Sequence, residues 1–315
     1  MTALLAVPAA TAQAQSEYPN KPIQMLLGFA AGGVTDLFAR LLSTQLSDQL
    51  GISVVVQNKA GANGNIAHEQ VAKAPADGYT LLFNTSSVIL NPSLGVSQKF
   101  VDAFSELSPV SLVGTTPFVL FTAPSLPGTT IRDFVAHAKA NAGKLSYASG
   151  GVGNMTHIGN LLFQQKMGIV ATHVPYKGGN PAMAATVAQD VQFCMDTINS
   201  ALAVIQSKRV KALAVTSMKR VAVIPDVPTM DETILPGFEV GSWYGMMTTG
   251  KTPAAVVRRI NAEIVKALQD RSLVQKLSDI STDVKTSTPE QYGAFVKSEF
   301  ESWAQLIKGS GIRVD

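Results

Sequence analysis

Apolar and polar positions along this chain switch repeatedly between a period near two and a period near 3.6. Residues 23–27 are apolar apart from Gln24 and read as a buried strand. Over 36–50, Leu37, Phe38, Leu41, Leu42, Leu46 and Leu50 fall on one face of a helix, which Gly51 would end. Val54, Val55 and Val56 predict the next strand. A glycine turn at 61–64 then precedes a helical stretch at 66–74, and Asp77-Gly78 turns the chain into a third strand at 79–83. This alternation predicts a mostly parallel sheet covered by helices on both faces.

The rhythm then restarts. Apolar positions at 118–121 predict a strand, 130–142 a helix ending at Gly143, and 145–148 a strand running into the glycine run 150–153. Strands at 171–174, 191–195 and 210–215 follow, with helices at 181–189 and 201–207 between them. Pro225, Pro228 and Pro236-Gly237 interrupt the pattern. A strand at 243–248 and helices at 253–270 and 289–308 complete it; Pro253 and Pro289 suit a first helical turn, where a missing N–H costs little. Two α/β units with helical material left over at the C-terminus predict a discontinuous layout. Residues 18–122 plus 240–315 form one unit and 123–239 the other, with strands crossing between them near 120–124 and 238–242. The expected fold class is α/β, two-lobed, each lobe a mostly parallel sheet flanked by helices, with a ligand cleft between the lobes and a hinge at the crossings.

Composition narrows the partners. The chain has 315 residues, 46% hydrophobic and 15% charged, enough for a large core and too apolar for disorder. The net charge of +3 is scattered with no Lys/Arg block, so nucleic acid is not an expected partner. The single cysteine, Cys194, lies in the apolar run VQFCM, which excludes an intrachain disulfide and predicts a buried hydrophobe. The four histidines have no metal-binding spacing, so neither a metal nor a cofactor is expected. At the start, Leu4-Leu5-Ala6-Val7 leads to Ala12-Gln13-Ala14, a small-x-small pattern. Residues 1–14 therefore read as the remnant of a secretion signal cut near Ala14, and the mature protein as periplasmic.

Candidate chemistry concentrates in two loops that each follow a predicted strand and open a predicted helix: 28–36, GFAAGGVTD, and 150–157, GGVGNMTH. Helix starts present unpaired N–H groups and a positive dipole end, and glycine lets backbone approach a ligand closely, so each loop suits an anion. The spellings exclude familiar alternatives. Neither loop has the lysine of a nucleotide P-loop, neither is followed by the acid of a dinucleotide site, and Tyr147-Ala148-Ser149-Gly150 lacks the first glycine of a serine-hydrolase elbow. Asp36 either complements the helix dipole or meets a ligand's ammonium group. Asp196 either caps the next helix or faces the cleft, and His157 is either a cap or a ligand contact.

Several segments in this order resemble one family. They are YPNKPIQMLLGFAAGGVTDLFAR, LGISVVVQNKAGANGNIAHEQVAKAPADGYTLLF, GGVGNMTHIGNLLF, HVPYKGGNPAM, IPDVPTMDE, LPGFEVGSWYGMM and KTPAAVVRRINAEI. The sequence resembles the Bug proteins, the extracytoplasmic solute receptors of tripartite tricarboxylate transporters, from about Tyr18 to the C-terminus. The resemblance implies a Venus-flytrap fold that holds a small carboxylate and passes it to membrane permease subunits, as a monomer and without catalysis. It implies ligand contacts at Phe29, Ala30, Gly33, Thr35 and Asp36 in the first loop. In the second it implies Gly151, Gly153, Asn154, Thr156 and His157, with Asn84, Thr85 and Asp196 around the bound end of the ligand. Two departures stand out: Gly28-Phe29-Ala30-Ala31 replaces a proline-containing turn, and Gln57-Asn58-Lys59-Ala60-Gly61 replaces Glu-Asn-Arg-Pro-Gly. Two other roles fit the same residues, a carboxylate sensor for a membrane kinase and an isomerase or lyase using His157 or Asp196 as acid or base.

Overall fold

The computed structural model describes residues 18–93 and 100–310; the expected signal remnant lies outside them. The elements run β1 (Ile23–Leu27), α1 (Val34–Leu50), β2 (Val54–Asn58), α2 (Asn65–Ala72), β3 (Thr80–Thr85), α3 (Ser87–Ser93) and β4 (Leu107–Thr122). Next come α4 (Ile131–Ala140), β5 (Ser146–Ser149), α5 (Met155–Met167), β6 (Thr172–Pro175), α6 (Gly179–Ala188), β7 (Phe193–Thr197), α7 (Ile198–Gln206) and β8 (Lys211–Val215). The chain ends with α8 (Met230–Thr233), β9 (Gly241–Thr249), α9 (Ala254–Ala267), α10 (Arg271–Asp279), β10 (Asp283–Val284) and α11 (Pro289–Ser310).

Two parallel groups of strands form, as the alternation predicts. β1 lies between β2 and β3, and β5 lies between β6 and β7, all in parallel. Antiparallel strands join the groups. β3 pairs with β9, and β9 pairs with β4 from Leu107 to Pro117. From Phe118 to Thr122 the same β4 pairs instead with β7 and β8. β4 thus runs through both lobes and changes partners between Pro117 and Phe118, a few residues before the expected crossing. β9 enters at Gly241, opposite Pro117, so both strands pass the junction side by side.

The sequence reads only 118–121 of β4 as strand, but the strand has 16 residues. The part paired with β9 carries Pro109, Gly114 and Pro117 and shifts register twice, between Pro109 and Ser111 and between Leu112 and Gly114. Bulges of this kind break the period-two pattern by which a strand is recognised.

The helices bury one face each. α1 buries Phe38, Ala39, Leu42 and Leu46 and ends at Gly51 in the left-handed region, whose N–H bonds the Ser47 carbonyl. Leu37, placed by its spacing on the buried face, is instead 41% exposed. Phe38 meets Phe83 and Tyr244 edge-on in the core between α1, α9 and the first group of strands. Burial of each such aromatic contributes roughly 1.5–3 kcal/mol. Pro253 is the residue before α9, and Pro289 opens α11 as expected.

Candidate functional site

The turn after β1 is built by close backbone approach. A Cβ on Gly28 would lie 2.5 Å from the Gly64 Cα, so glycine at both positions lets two loops touch. Asp36 then ties the turn to α1. Its Oδ2 accepts from the Gly32 N–H (3.0 Å) and from Arg40 Nε (3.0 Å), and its Oδ1 accepts from Asn58 Nδ2 (2.9 Å). Asn58 also donates to the Phe29 carbonyl at 3.0 Å. Burial pushes the Asp36 carboxyl up, but the bonds from Arg40, Gly32 and Asn58 outweigh it and hold the group below the ordinary carboxylate range. Both Asp36 oxygens are therefore engaged within the turn. Gly33 precedes α1 with no side-chain cap, and nothing among the described residues lies within 4 Å of where a Cβ on Gly32 or Gly33 would stand. The start of α1 faces open space, with Ala30 exposed and Phe29 and Thr35 half-buried beside it.

The turn after β5 is closed by its own side chains. Thr156 Oγ1 accepts from the Gly150 N–H (2.9 Å), Ser149 Oγ from the Gly151 N–H (3.2 Å), and His157 Nδ1 from the Gly153 N–H (3.2 Å). Asn154 caps α5 by accepting from the Thr156 N–H at 3.0 Å. The N–H groups of Gly150, Gly151 and Gly153, which the sequence leaves open for a ligand, are thus already bonded. His157 is 5% exposed and stacks on His173 at 3.8 Å with 7° between rings. Burial, and then the His173 charge, hold His157 at about 3, and burial holds His173 at about 4, so both rings are neutral at pH 7. His173 Nε2 lies 2.6 Å from Ser149 Oγ, the spacing of a nucleophile and its base. Ser149 is 0% exposed, however, so its hydroxyl is sealed under the turn although His173 is half-buried.

A third glycine turn follows β6, outside the residues that the resemblance implies as ligand contacts. Gly178 precedes α6 without a side-chain cap, and the place of a Cβ on it is empty to 4 Å. The Gly178 N–H donates to the Gly150 carbonyl at 3.2 Å, which packs this turn against the previous one. The signal was present: Tyr176-Lys177-Gly178-Gly179 repeats the strand–Gly-Gly–helix spelling of the first loop.

Asp196 ends β7 next to this turn. It is 3% exposed; Oδ1 accepts from the Thr197 N–H (2.6 Å) and from Thr197 Oγ1 (3.3 Å), whereas Oδ2 has no hydrogen-bond partner among the described residues. Burial raises its carboxyl to about 6 against the opposing bonds from Thr197. Across the junction, burial pushes the Tyr244 phenol up to about 12. The Asp196 charge adds to the rise, and the Thr116 and Thr35 hydroxyls oppose it. Asn84 and Thr85 are less available. Asn84 exchanges hydrogen bonds with the Tyr292 hydroxyl (2.8 and 3.2 Å), and Thr85 Oγ1 donates to Ser87 Oγ at 3.1 Å.

A separate cavity of about 910 Å³ lies at the junction, lined among others by Pro117, Ser217, Gly241, Ser281 and Trp303; none of the predicted site residues lines it. Among the described residues, no group of three His, Cys, Asp or Glu could hold a metal ion, and no helix is long and apolar enough to cross a membrane.

Comparison with known proteins places this geometry. The profile of the tripartite tricarboxylate transporter family receptor matches residues 38–312. A Pseudomonas protein named for the tcbD-tcbE intergenic region is 37% identical over 297 residues, covering 94% of this chain and 88% of its own. BugT of Bordetella pertussis is 35% identical over 298 residues, covering 94% and 91%. The structure of the periplasmic binding protein BugD superposes with a TM-score of 0.83 at 35% identity, covering 94% of this chain and 99% of that one. A Rhodopseudomonas palustris protein with adipate gives 0.86 at 30%, covering 94% and 99%. MatC from the same organism, with bound malate, gives 0.80 at 29%, covering 92% and 100%. The two-lobed fold of periplasmic binding proteins is therefore that of this chain, which belongs to the tripartite tricarboxylate transporter receptor family.

Proposed function

We propose that the protein is a periplasmic receptor that captures a small carboxylate between its lobes and delivers it to membrane permease subunits, acting as a monomer and making or breaking no bond. The observation that carries this reading is that each lobe offers an uncapped helix start with open space before it. Gly33 precedes α1 and Gly178 precedes α6, neither with a side-chain cap and each with nothing within 4 Å of where a Cβ would stand, and Asp196 sits beside the second where β4 changes partners. Helix starts of this kind favour an anion by about 0.3–2 kcal/mol per contact. Relatives of the same fold hold malate and adipate, both carboxylates. In this reading the two units are 18–122 plus 240–315 and 123–239, and the paired crossing of β4 and β9 is the hinge. Of the predicted contacts, Phe29, Ala30, Gly33 and Thr35 face the ligand in lobe one and Asp196 in lobe two. Asp36, Gly153, Asn154, Thr156 and His157 hold the turns in shape, and Gly151 lies at their edge. The sealed Ser149 and the neutral, stacked histidines favour binding over acid–base catalysis.

Thermal unfolding of ligand-stripped protein tests this. A ligand at 100 times its Kd stabilises the folded state by about 2.7 kcal/mol. One or a few small carboxylates should raise the midpoint at pH 7, and the bound acid should be recovered unchanged by NMR. A broad panel of mono-, di- and tricarboxylates giving no shift, or a bound acid that is turned over, counts against the receptor reading. Replacement of Gly33 by Leu should abolish the shift while the protein stays folded, since it fills the space before α1.

A further inference from the structure

Asp196 Oδ2 stands apart among the buried polar atoms. Of the buried side-chain atoms without a partner among the described residues, those of Tyr147, Asn160, Gln164 and Ser281 are neutral, and only this one belongs to an acid. A carboxylate oxygen taken from water with nothing to replace the lost hydrogen bonds is costly, and a group built that way usually waits for a partner. No cation is among the groups acting on it; burial and the Thr197 bonds are what set its state, and its charge in turn reaches Cys194 and Tyr244, both neutral.

The neighbours locate that oxygen. On one side is Gly179, the first residue of α6, where an added Cβ would come within 2.6 Å of Oδ2. Gly179 and Gly178 in turn border Gly150, 3.5 Å from where its Cβ would stand. On the other side is β4, where Asp196 pairs with Val119, two residues beyond Pro117, at the point where the strand changes partners. The unpaired oxygen therefore lies beside the glycine turns of one lobe and close to the junction with the other. An acidic oxygen beside a carboxylate site repels a plain carboxylate. It attracts a ligand that carries a hydroxyl or ammonium hydrogen on the carbon next to its carboxylate, because that hydrogen supplies the missing partner.

We infer that Asp196 Oδ2 accepts the hydrogen bond of a 2-hydroxy or 2-amino group on the ligand, making Asp196 the residue by which this receptor prefers such acids over their unsubstituted counterparts. The inference rests on the receptor reading proposed above and deepens it. Gly179 serves the same end, since any side chain there would displace the oxygen.

Calorimetry with matched acids tests it. Ligand-stripped wild type is titrated at pH 7.5 with L-malate, L-aspartate and succinate, with lactate and propionate, and with phenyllactate and 3-phenylpropionate. The substituted member of the preferred set should bind about tenfold or more tighter than its unsubstituted counterpart, in line with a hydrogen bond to a charged group. In Asp196→Asn this ratio should fall to within about threefold, chiefly through weaker binding of the substituted acid. Gly179→Ala, which keeps the charge but crowds it, should also lower the ratio, and it gives a reading independent of the first variant's folding. Equal wild-type affinity within each pair, or an equal loss for both members in the variants, overturns the inference and leaves the receptor reading standing. If wild type binds none of these acids but binds an unsubstituted carboxylate from the thermal panel, the inference fails and the receptor reading stands; if no carboxylate of that panel binds, both fail.

Discussion

His157, His173 and Asp196 illustrate how one residue's surroundings decide its role. A sequence shows residue type and spacing but not which N–H group a side chain already satisfies. It could therefore offer His157, Thr156 and Asp36 as ligand contacts, although their polar atoms bond Gly153, Gly150 and Gly32. Asp196 could be placed at a strand end, but its unpaired oxygen depends on Gly179, 17 positions away in sequence and adjacent in space. The same residues set the pH response. Burial holds His68, His157 and His173 at about 4, 3 and 4 when folded, against an ordinary value of 6.5. The unfolded chain thus binds more protons below pH 6.5, and stability is lost as pH falls toward 4. Asp196 acts in the opposite direction: burial raises it to about 6, above its ordinary value of 3.8, so its effect favours folding at low pH and is lost as pH rises through 6. Asp196→Asn should therefore stabilise the ligand-free protein at pH 7.5, by on the order of 2 kcal/mol, and confer little advantage at pH 4. Urea unfolding across pH 4–7.5 reads both limbs. A pH-independent difference between variant and wild type would mean that Asp196 is not held in a raised state. A gain in stability from removing this carboxylate also fits a group retained for function.

At the scale of elements, the sequence predicts well what repeats and poorly what is made by contact. The parallel triplets around β1 and β5 announce themselves by alternation of apolar strand and amphipathic helix. Of the antiparallel strands that connect them, β8 and β9 are read but most of β4 and all of β10 are not, because β4 is bulged and β10 has only two residues. α10 falls between the helices expected at 253–270 and 289–308, where the sequence assigns no element: with Leu273 and Leu277 its only buried residues, it carries little apolar signal of its own. The docking of α11 depends on one position in β9. An added Cβ on Gly245 would fall 1.9 Å from the Tyr292 hydroxyl, and that hydroxyl is bonded to Asn84. The ring of Tyr292 also packs against Trp243, itself held through its indole N–H by Glu299 at 3.1 Å. Gly245→Ala should displace Tyr292 from the sheet and cost about 1–3 kcal/mol or more, as overpacking does. A thermal midpoint equal to wild type would show that α11 can move aside freely. Tyr292→Phe, which removes only the hydroxyl, should cost less, on the order of 1–2 kcal/mol for the unpaired Asn84.

For the whole molecule, the decisive feature is how the two lobes are joined. Two strands pass the junction together, and one buried side chain stitches them. Thr216 donates its N–H to the Phe118 carbonyl (2.9 Å), accepts the Phe118 N–H on Oγ1 (2.8 Å), and accepts the Val240 N–H on its own carbonyl (3.3 Å). Its hydroxyl also bonds the Val240 carbonyl. Phe118 belongs to β4 and Val240 leads into β9, so this threonine fixes the spacing of both crossing strands. Thr216→Val keeps the shape but leaves a buried N–H and a buried carbonyl without their hydroxyl partner, which should cost about 1–3 kcal/mol of stability. The effect on binding follows from populations. Under the receptor reading proposed above, a ligand held by both lobes binds only the arrangement that closes them over it, and its apparent Kd is the intrinsic value divided by the fraction of molecules so arranged. Loosening the junction adds arrangements that cannot bind and lowers that fraction. Thr216→Val should therefore weaken the ligand several-fold without touching it, and small-angle scattering of the ligand-free variant should show a broader distribution of dimensions that narrows when ligand is added. A lower midpoint with unchanged affinity and unchanged scattering would mean that the lobes pivot elsewhere, and that the paired crossing of β4 and β9 is structural rather than a hinge.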